Sequence, residues 1–158
     1  VDTLIRKAQA KDAGHIAAIL RALGWFAHIS AEPVETTTAR IAKCLELYEA
    51  QHNPSVYVAE NADGEIVGYA SVHWLLYLLY DGPEAYISEL FVRESARGQG
   101  IGTRLLRAVE DEAKARGCSR LRLLNLRYRE SYQRGFYRKL GWKEWEEAAN
   151  FIYAIPEK

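Results

Sequence analysis

A chain of 158 residues is long enough to bury a substantial core without disulfide or metal staples, and it reads as one domain over residues 1–158. Its 21 lysines and arginines balance 21 aspartates and glutamates, so no global field draws it to nucleic acid or to an anionic membrane. Neither partner is expected. Cys44 and Cys118 lie far apart, with no C-x-x-C or Cys/His ligand spacing, which predicts reduced structural thiols and no metal. The longest apolar stretch, residues 69–80, falls short of the roughly 20 residues that span a bilayer, and nothing reads as a secretory apolar region. A cytoplasmic address is expected.

Asp12 is placed to cap a first helix whose apolar residues Ile16, Ile19, Leu20 and Leu23 recur at three-and-four spacing before Gly24. Residues 25–33 are aromatic and irregular. Ile41, Cys44, Leu45 and Tyr48 then mark one face of a second helix. Residues 55–60 and 65–74 are rich in Val, Ile and Tyr, and Asn61-Ala62-Asp63-Gly64 between them has turn chemistry, predicting a hairpin. Asp81-Gly82-Pro83 turns the chain into a strand over residues 85–92. From Ile101, the residues Leu105, Leu106, Val109 and Ala113 line a helix that Gly117 closes, and residues 120–126 follow as a strand. Strand, glycine loop, helix and strand make a crossover unit, so these two strands run parallel. Residues 131–139 predict a short helix ended by Gly141, and residues 142–147 and 151–155 predict two closing strands. The fold class is α+β: a mixed, mostly antiparallel sheet of six or seven strands with helices on both faces.

Arg97-Gly98-Gln99-Gly100-Ile101-Gly102 stands between a predicted strand and a predicted amphipathic helix. Glycines let the backbone take positive φ and approach a ligand, so several N–H groups can converge on one anion at the positive end of the helix. A phosphate-bearing ligand is therefore expected. The spacing is neither the dinucleotide G-x-G-x-x-G nor a Walker loop, since no G-K-[ST] follows.

Leu90-Phe91-Val92, the glycine loop and the later Phe136-Tyr137-Arg138-Lys139-Leu140-Gly141-Trp142 together resemble the GNAT superfamily of acyl-CoA-dependent N-acyltransferases, nearest to its small-molecule amine branches. The order of elements is similar along nearly the whole chain. The resemblance implies that acetyl-CoA is the acyl donor and that the fourth and fifth strands splay apart to admit its pantetheine arm. It also implies cofactor contacts from Leu90, Phe91, Val92, Arg97, Gly98, Gln99, Gly100, Ile101, Gly102 and Thr103, and from Asn125 and Ser131 beyond the splay. Exposed N–H and C=O groups of a splayed strand can pair with an amide-rich ligand.

Tyr137 matches the family tyrosine placed to protonate the leaving CoA thiolate, and a phenol with a pKa near 10 is a donor at neutral pH that can stabilise the developing thiolate by hydrogen bonding even without full proton transfer. Attack also needs an uncharged amine, so a proton acceptor is required. Glu89 is the candidate, because strand alternation sets Ile87, Glu89 and Phe91 on one face, and a carboxylate between apolar neighbours on a central strand is unusual enough to mark a role, either as base through water or as an anchor for a cationic acceptor. His73 ranks second as a relay. Trp25, Phe26, His73 and Trp74 are expected to line an aromatic acceptor pocket. Ser88 stands where the diamine and polyamine branches often carry a second acid, which points away from a polycation.

Three functions stay open on sequence: an N-acetyltransferase acting on a small-molecule primary amine by direct attack, a protein lysine or N-terminal acetyltransferase, and a non-catalytic acyl-CoA-binding module. A homodimer is compatible with each.

Overall fold

The computed structural model describes residues 2–156, which divide into two compact units at the Leu123–Leu124 junction. The first unit is built on a five-stranded sheet in the order β1-β2-β3-β4-β5, with β1 Leu4–Lys7, β2 Ser55–Glu60, β3 Ile66–Leu75, β4 Glu84–Val92 and β5 Arg120–Leu123. The first three pairings are antiparallel, and β4 with β5 is parallel, as the crossover through the glycine loop requires. Only the short β1 was unannounced by pattern. Four residues are too few to show a period.

The helices of this unit are α1 (Ala13–Leu23), α2 (Ala27–Ala31), α3 (Val34–Gln51) and α4 (Ile101–Ala115). They cover both faces of the sheet. On one side Ile16, Ile19 and Leu20 of α1, Ile29 of α2 and Leu45 of α3 join Val56, Val58 and Tyr69 in a buried cluster. On the other, Leu105, Leu106, Val109 and Ala113 of α4 are buried along one stripe. Gly24 closes α1 at φ +67, where a side chain would be strained. Asp12 does not cap with its side chain: its carboxylate instead takes two hydrogen bonds from Arg6, at 2.8 and 2.9 Å, and one from the Gln9 amide. The nearly fully buried carboxylate thus pairs with the Arg6 guanidinium and closes a capping box on the preceding turn, Ala10–Asp12, leaving the α1 terminus without a side-chain cap.

The second unit, beginning at Leu124, contains α5 (Glu130–Gln133) and α6 (Phe136–Lys139), separated by Gly135 at φ +66. One continuous helix over residues 131–139 was expected; the left-handed glycine breaks it. The two predicted closing strands are not formed among the described residues, and Phe151, Ile152, Tyr153 and Ile155 are exposed. The expected six or seven strands are therefore five. β-propensity marks a segment that suits a sheet, but a strand exists only with a partner for its N–H and C=O groups.

Candidate active site

β3 and β4 position the central groups. Their register pairs Tyr69 with Phe91 and Ser71 with Glu89, then resumes with Val72 opposite Ile87 and His73 opposite Tyr86. Ser88 is thus an extra residue in β4, a bulge. Directly paired residues share a face, so the bulge sends Ile87 to the α4 side with Val72 while Glu89 and Phe91 stay with Tyr69. This corrects the simple alternation that grouped Ile87 with Glu89. Ile87 is buried core, and Tyr86 takes its place on the face that carries Glu89.

Glu89 is half-buried and accepts a hydrogen bond from the Tyr69 hydroxyl at 3.0 Å. Burial pushes its carboxyl above the usual range, and the Tyr69 bond opposes this only in part. Burial beside Glu89 also raises the Tyr69 phenol, which stays protonated as a fixed donor. Aromatic rings surround the pair: Phe91 meets Tyr69 at 5.7 Å, Trp25 at 5.8 Å and Phe26 at 6.1 Å, all edge-to-face.

His73 shares this face. Its Nε2 lies 3.1 Å from Ser88 Oγ, its ring contacts Tyr86, and burial pushes its pKa down, so the imidazole is neutral at physiological pH. Trp74 does not join Trp25, Phe26 and His73. It is buried on the α4 side, where its Nε1 donates to Ser55 Oγ at 3.0 Å and Arg116 lies over its ring. Adjacent strand residues point to opposite faces, so His73 and Trp74 cannot line one pocket.

The parallel pairing of β4 with β5 ends at Ile87 opposite Leu123, whereas β4 runs on to Val92. Leu90, Phe91 and Val92 therefore have a strand partner on the β3 side alone within this sheet. The chain then enters the glycine loop. Gly98 and Gly100 both sit at φ +76, and Gly100 is the residue before α4. Among the described residues, the amides of Gly98, Gln99, Gly100, Ile101, Gly102 and Thr103 donate to no backbone or side-chain acceptor. A run of unsatisfied donors at the N-terminus of a fifteen-residue helix is chemically suited to a diphosphate. Arg97 turns its Nε back toward the Val92 carbonyl.

Gly68, which sequence reasoning passed over, positions this loop. A Cβ there would stand 3.0 Å from the Phe91 carbonyl oxygen, 3.2 Å from Val92 and 3.4 Å from Ile101, so the missing side chain lets the first turn of α4 lie directly on the sheet. The isolated glycine in a strand was the available signal.

In the second unit, Tyr137 lies on α6, half-buried, with its ring 5.0 Å from Phe136 and 5.9 Å from Trp142. Burial pushes its phenol up to about 12. Ser131 donates to Asn125 Oδ1 at 3.1 Å, linking the two polar residues assigned to cofactor contact. Cys44 and Cys118 are free thiols. Among the described residues no group of three or more His, Cys, Asp or Glu stands ready to hold a metal, and no helix is long and apolar enough to cross a membrane.

The sequence profile of the Acetyltransferase (GNAT) family matches residues 7–142, most of the chain. A thialysine N-epsilon-acetyltransferase from Mus musculus is 30% identical over 159 aligned positions, covering 95% of this chain and 89% of that protein. Among solved structures, a transcriptional regulator from Bacillus halodurans C-125 superposes with a TM-score of 0.78 at 28% identity, covering 96% of this chain and 100% of the other. AAC(6')-Iy, solved in complex with the bisubstrate analogue CoA-S-monomethyl-acetylneamine, shares the fold with a TM-score of 0.74 at 20% identity, covering 98% and 100%. The chain belongs to the GNAT acetyltransferase family, and it is an N-acetyltransferase.

Proposed function

We propose that this protein transfers the acetyl group of acetyl-CoA to a primary amine of a small molecule by direct attack. The observation that carries the reading is Glu89: a half-buried carboxylate with a raised pKa, held by Tyr69 on the stretch of β4 that β5 has ceased to pair. The whole chain is read as one catalytic domain, because the family profile runs across the Leu123–Leu124 junction.

The residues divide the work as follows. Free amides from Gly98 to Thr103 hold the diphosphate, aided by the α4 dipole, and the unpaired edge of Leu90, Phe91 and Val92 pairs with the pantetheine amides. Asn125 and Ser131 complete the cofactor contacts on the family pattern. Glu89, directly or through one water, accepts a proton from the ammonium; the freed amine attacks the thioester carbonyl, a C–N bond forms, the C–S bond breaks, and the second amine proton passes from nitrogen to the departing thiolate, which leaves as free coenzyme A thiol. Tyr137, assigned from the family motif, donates a hydrogen bond to the departing sulfur. A phenol near 12 does not surrender its proton outright to a thiolate whose thiol has a pKa of about 8.5, so the stabilisation is electrostatic.

Trp25, Phe26 and His73 border the acceptor. Relatives named for small-molecule amines support a small acceptor over a protein. The test is a free-thiol release assay with acetyl-CoA and a panel of primary amines and peptides. Thiol release with small amines is expected. Tight acetyl-CoA binding with no acceptor from the panel would make the protein a binding module, and preference for peptides would make it a protein acetyltransferase.

A further inference from the structure

Two positions along from Glu89, the same face of the sheet changes charge. β3 alternates without interruption from Tyr69 through Ser71 to His73, so their partners Phe91, Glu89 and Tyr86 share one face, and Arg122 of β5 pairs with Tyr86. The β3 partners of Glu89 and Tyr86, Ser71 and His73, lie two residue steps apart, about 7 Å along the strand. The Arg122 guanidinium lies over the Tyr86 ring, 4.8 Å from its centroid. Its Nε donates to Glu84 Oε1 at 2.9 Å, and Glu84 is wholly buried, also binding Arg120 and the Tyr77 hydroxyl. The Arg122 side chain nevertheless remains 37% exposed.

We infer that the acceptor is an amine bearing an anionic group, a carboxylate or phosphonate, and that Arg122 is the residue that recognises it. The inference rests on the acetyl-transfer reading and narrows its substrate. An arginine anchored at Nε by a buried carboxylate, held also by the Tyr77 side chain and lying over a tyrosine ring has little rotamer freedom left to lose, and its partly exposed planar guanidinium matches a carboxylate or phosphonate geometrically. Glu89 attracts the ammonium end of the acceptor. A second ammonium would meet Arg122, with no acid at Ser88 to receive it; the one acid nearby, Glu84, is buried and already shared by two guanidiniums. An anion at that end meets its complement. His73, neutral between the two, adds no opposing charge.

The experiment compares four acceptors of similar length: δ-aminovalerate, aminopropylphosphonate, pentylamine and cadaverine. One anionic acceptor should exceed both pentylamine and cadaverine in kcat/KM by tenfold or more, chiefly through KM, and which of the two leads identifies the anion. Arg122→Gln should collapse the ratio of anionic to neutral acceptor toward one, and Arg122→Lys, which keeps charge but loses the fork, should retain part of it. Thermal melting of each variant checks that it is folded. A wild-type preference for cadaverine or pentylamine, or a preference for the anion that survives in folded Arg122→Gln, would overturn the assignment while leaving acetyl transfer intact. Acetyl-CoA binding with no thiol release from any of the four or from the wider amine panel would instead remove the acetyl-transfer reading, and this inference with it.

Discussion

The Tyr69 hydroxyl donates to Glu89 Oε1 at 3.0 Å, so the one acid between the aromatic rings is oriented by a phenol that itself cannot ionise at neutral pH. The bond fixes the carboxylate without neutralising it. Burial raises the Glu89 pKa, which makes it a stronger base than an exposed glutamate and also makes its charged form costly to keep folded.

Both consequences can be measured with Glu89→Gln. Turnover at neutral pH should fall by a factor on the order of a hundred and recover partly as pH approaches that of the free amine, about 10.4. A loss that is uniform across pH would make Glu89 an anchor for the ammonium and not a base. The stability effect has the opposite sign. A folded pKa raised above the unfolded value means the folded state favours the protonated carboxyl, so its contribution is present in acid and is lost as pH rises through the folded pKa. Glu89→Gln should therefore melt higher than wild type at neutral pH, with the gap closing in acid. A lower melting temperature at neutral pH would contradict the raised pKa.

Tyr137→Phe keeps the ring that packs against Phe136 and Trp142 and removes only the hydroxyl. We expect kcat to drop by about a hundred- to a thousandfold, the range for losing one donor to a developing charge, with acetyl-CoA affinity near native. Unchanged turnover would take Tyr137 out of the reaction. A matching loss of acetyl-CoA affinity would make it a binding residue.

Much of the fold is legible in the sequence. The helices Ala13–Leu23 and Ile101–Ala115 announce themselves because each buries a single stripe, and the hairpin turn at residues 61–64 does so through turn chemistry. The bulge at Ser88 did not, since an extra residue leaves no trace in composition yet reverses every side chain before it; hence Ile87 was set beside Glu89. Trp74 was misplaced for a different reason. Aromatic character suggested a pocket, but period two already separates it from His73. Asp12 illustrates competition: its cap position is real, and Arg6, distant in pattern though near in space, binds the carboxylate. The charged end of the acceptor face stayed hidden because Glu84 and Arg122 meet only through the parallel register of β4 and β5.

Gly100→Ala tests the loop. Nothing lies within 4 Å of the added Cβ, so the cost arises from φ +76 and not from a clash, about 1 kcal/mol of stability. Relaxing that strain turns the amides away from their common focus, and acetyl-CoA affinity should weaken by fivefold or more by calorimetry. Gly14→Ala, also unobstructed but within α1, is the control: it should stabilise by about 0.5–1 kcal/mol and leave cofactor affinity alone. Equal affinities for wild type and Gly100→Ala would detach the loop from diphosphate binding.

Glu112 ties α4 to two strands. Its carboxylate takes hydrogen bonds from Ser55 at 3.0 Å, Tyr57 at 2.6 Å and Arg116 at 2.9 and 3.0 Å, and an ion pair from Lys7. Together they hold its pKa down to about 2 despite partial burial. Glu112→Gln should cost about 1.5–3 kcal/mol at neutral pH, the range for hydrogen bonds to a charged group. Because the folded pKa is depressed, the wild-type advantage is present above the unfolded value of about 4.3 and is lost as pH falls through the folded one. Melting curves of the two proteins should therefore converge between roughly pH 4.3 and pH 2. Parallel curves through that window would show that Glu112 acts by packing and not by charge.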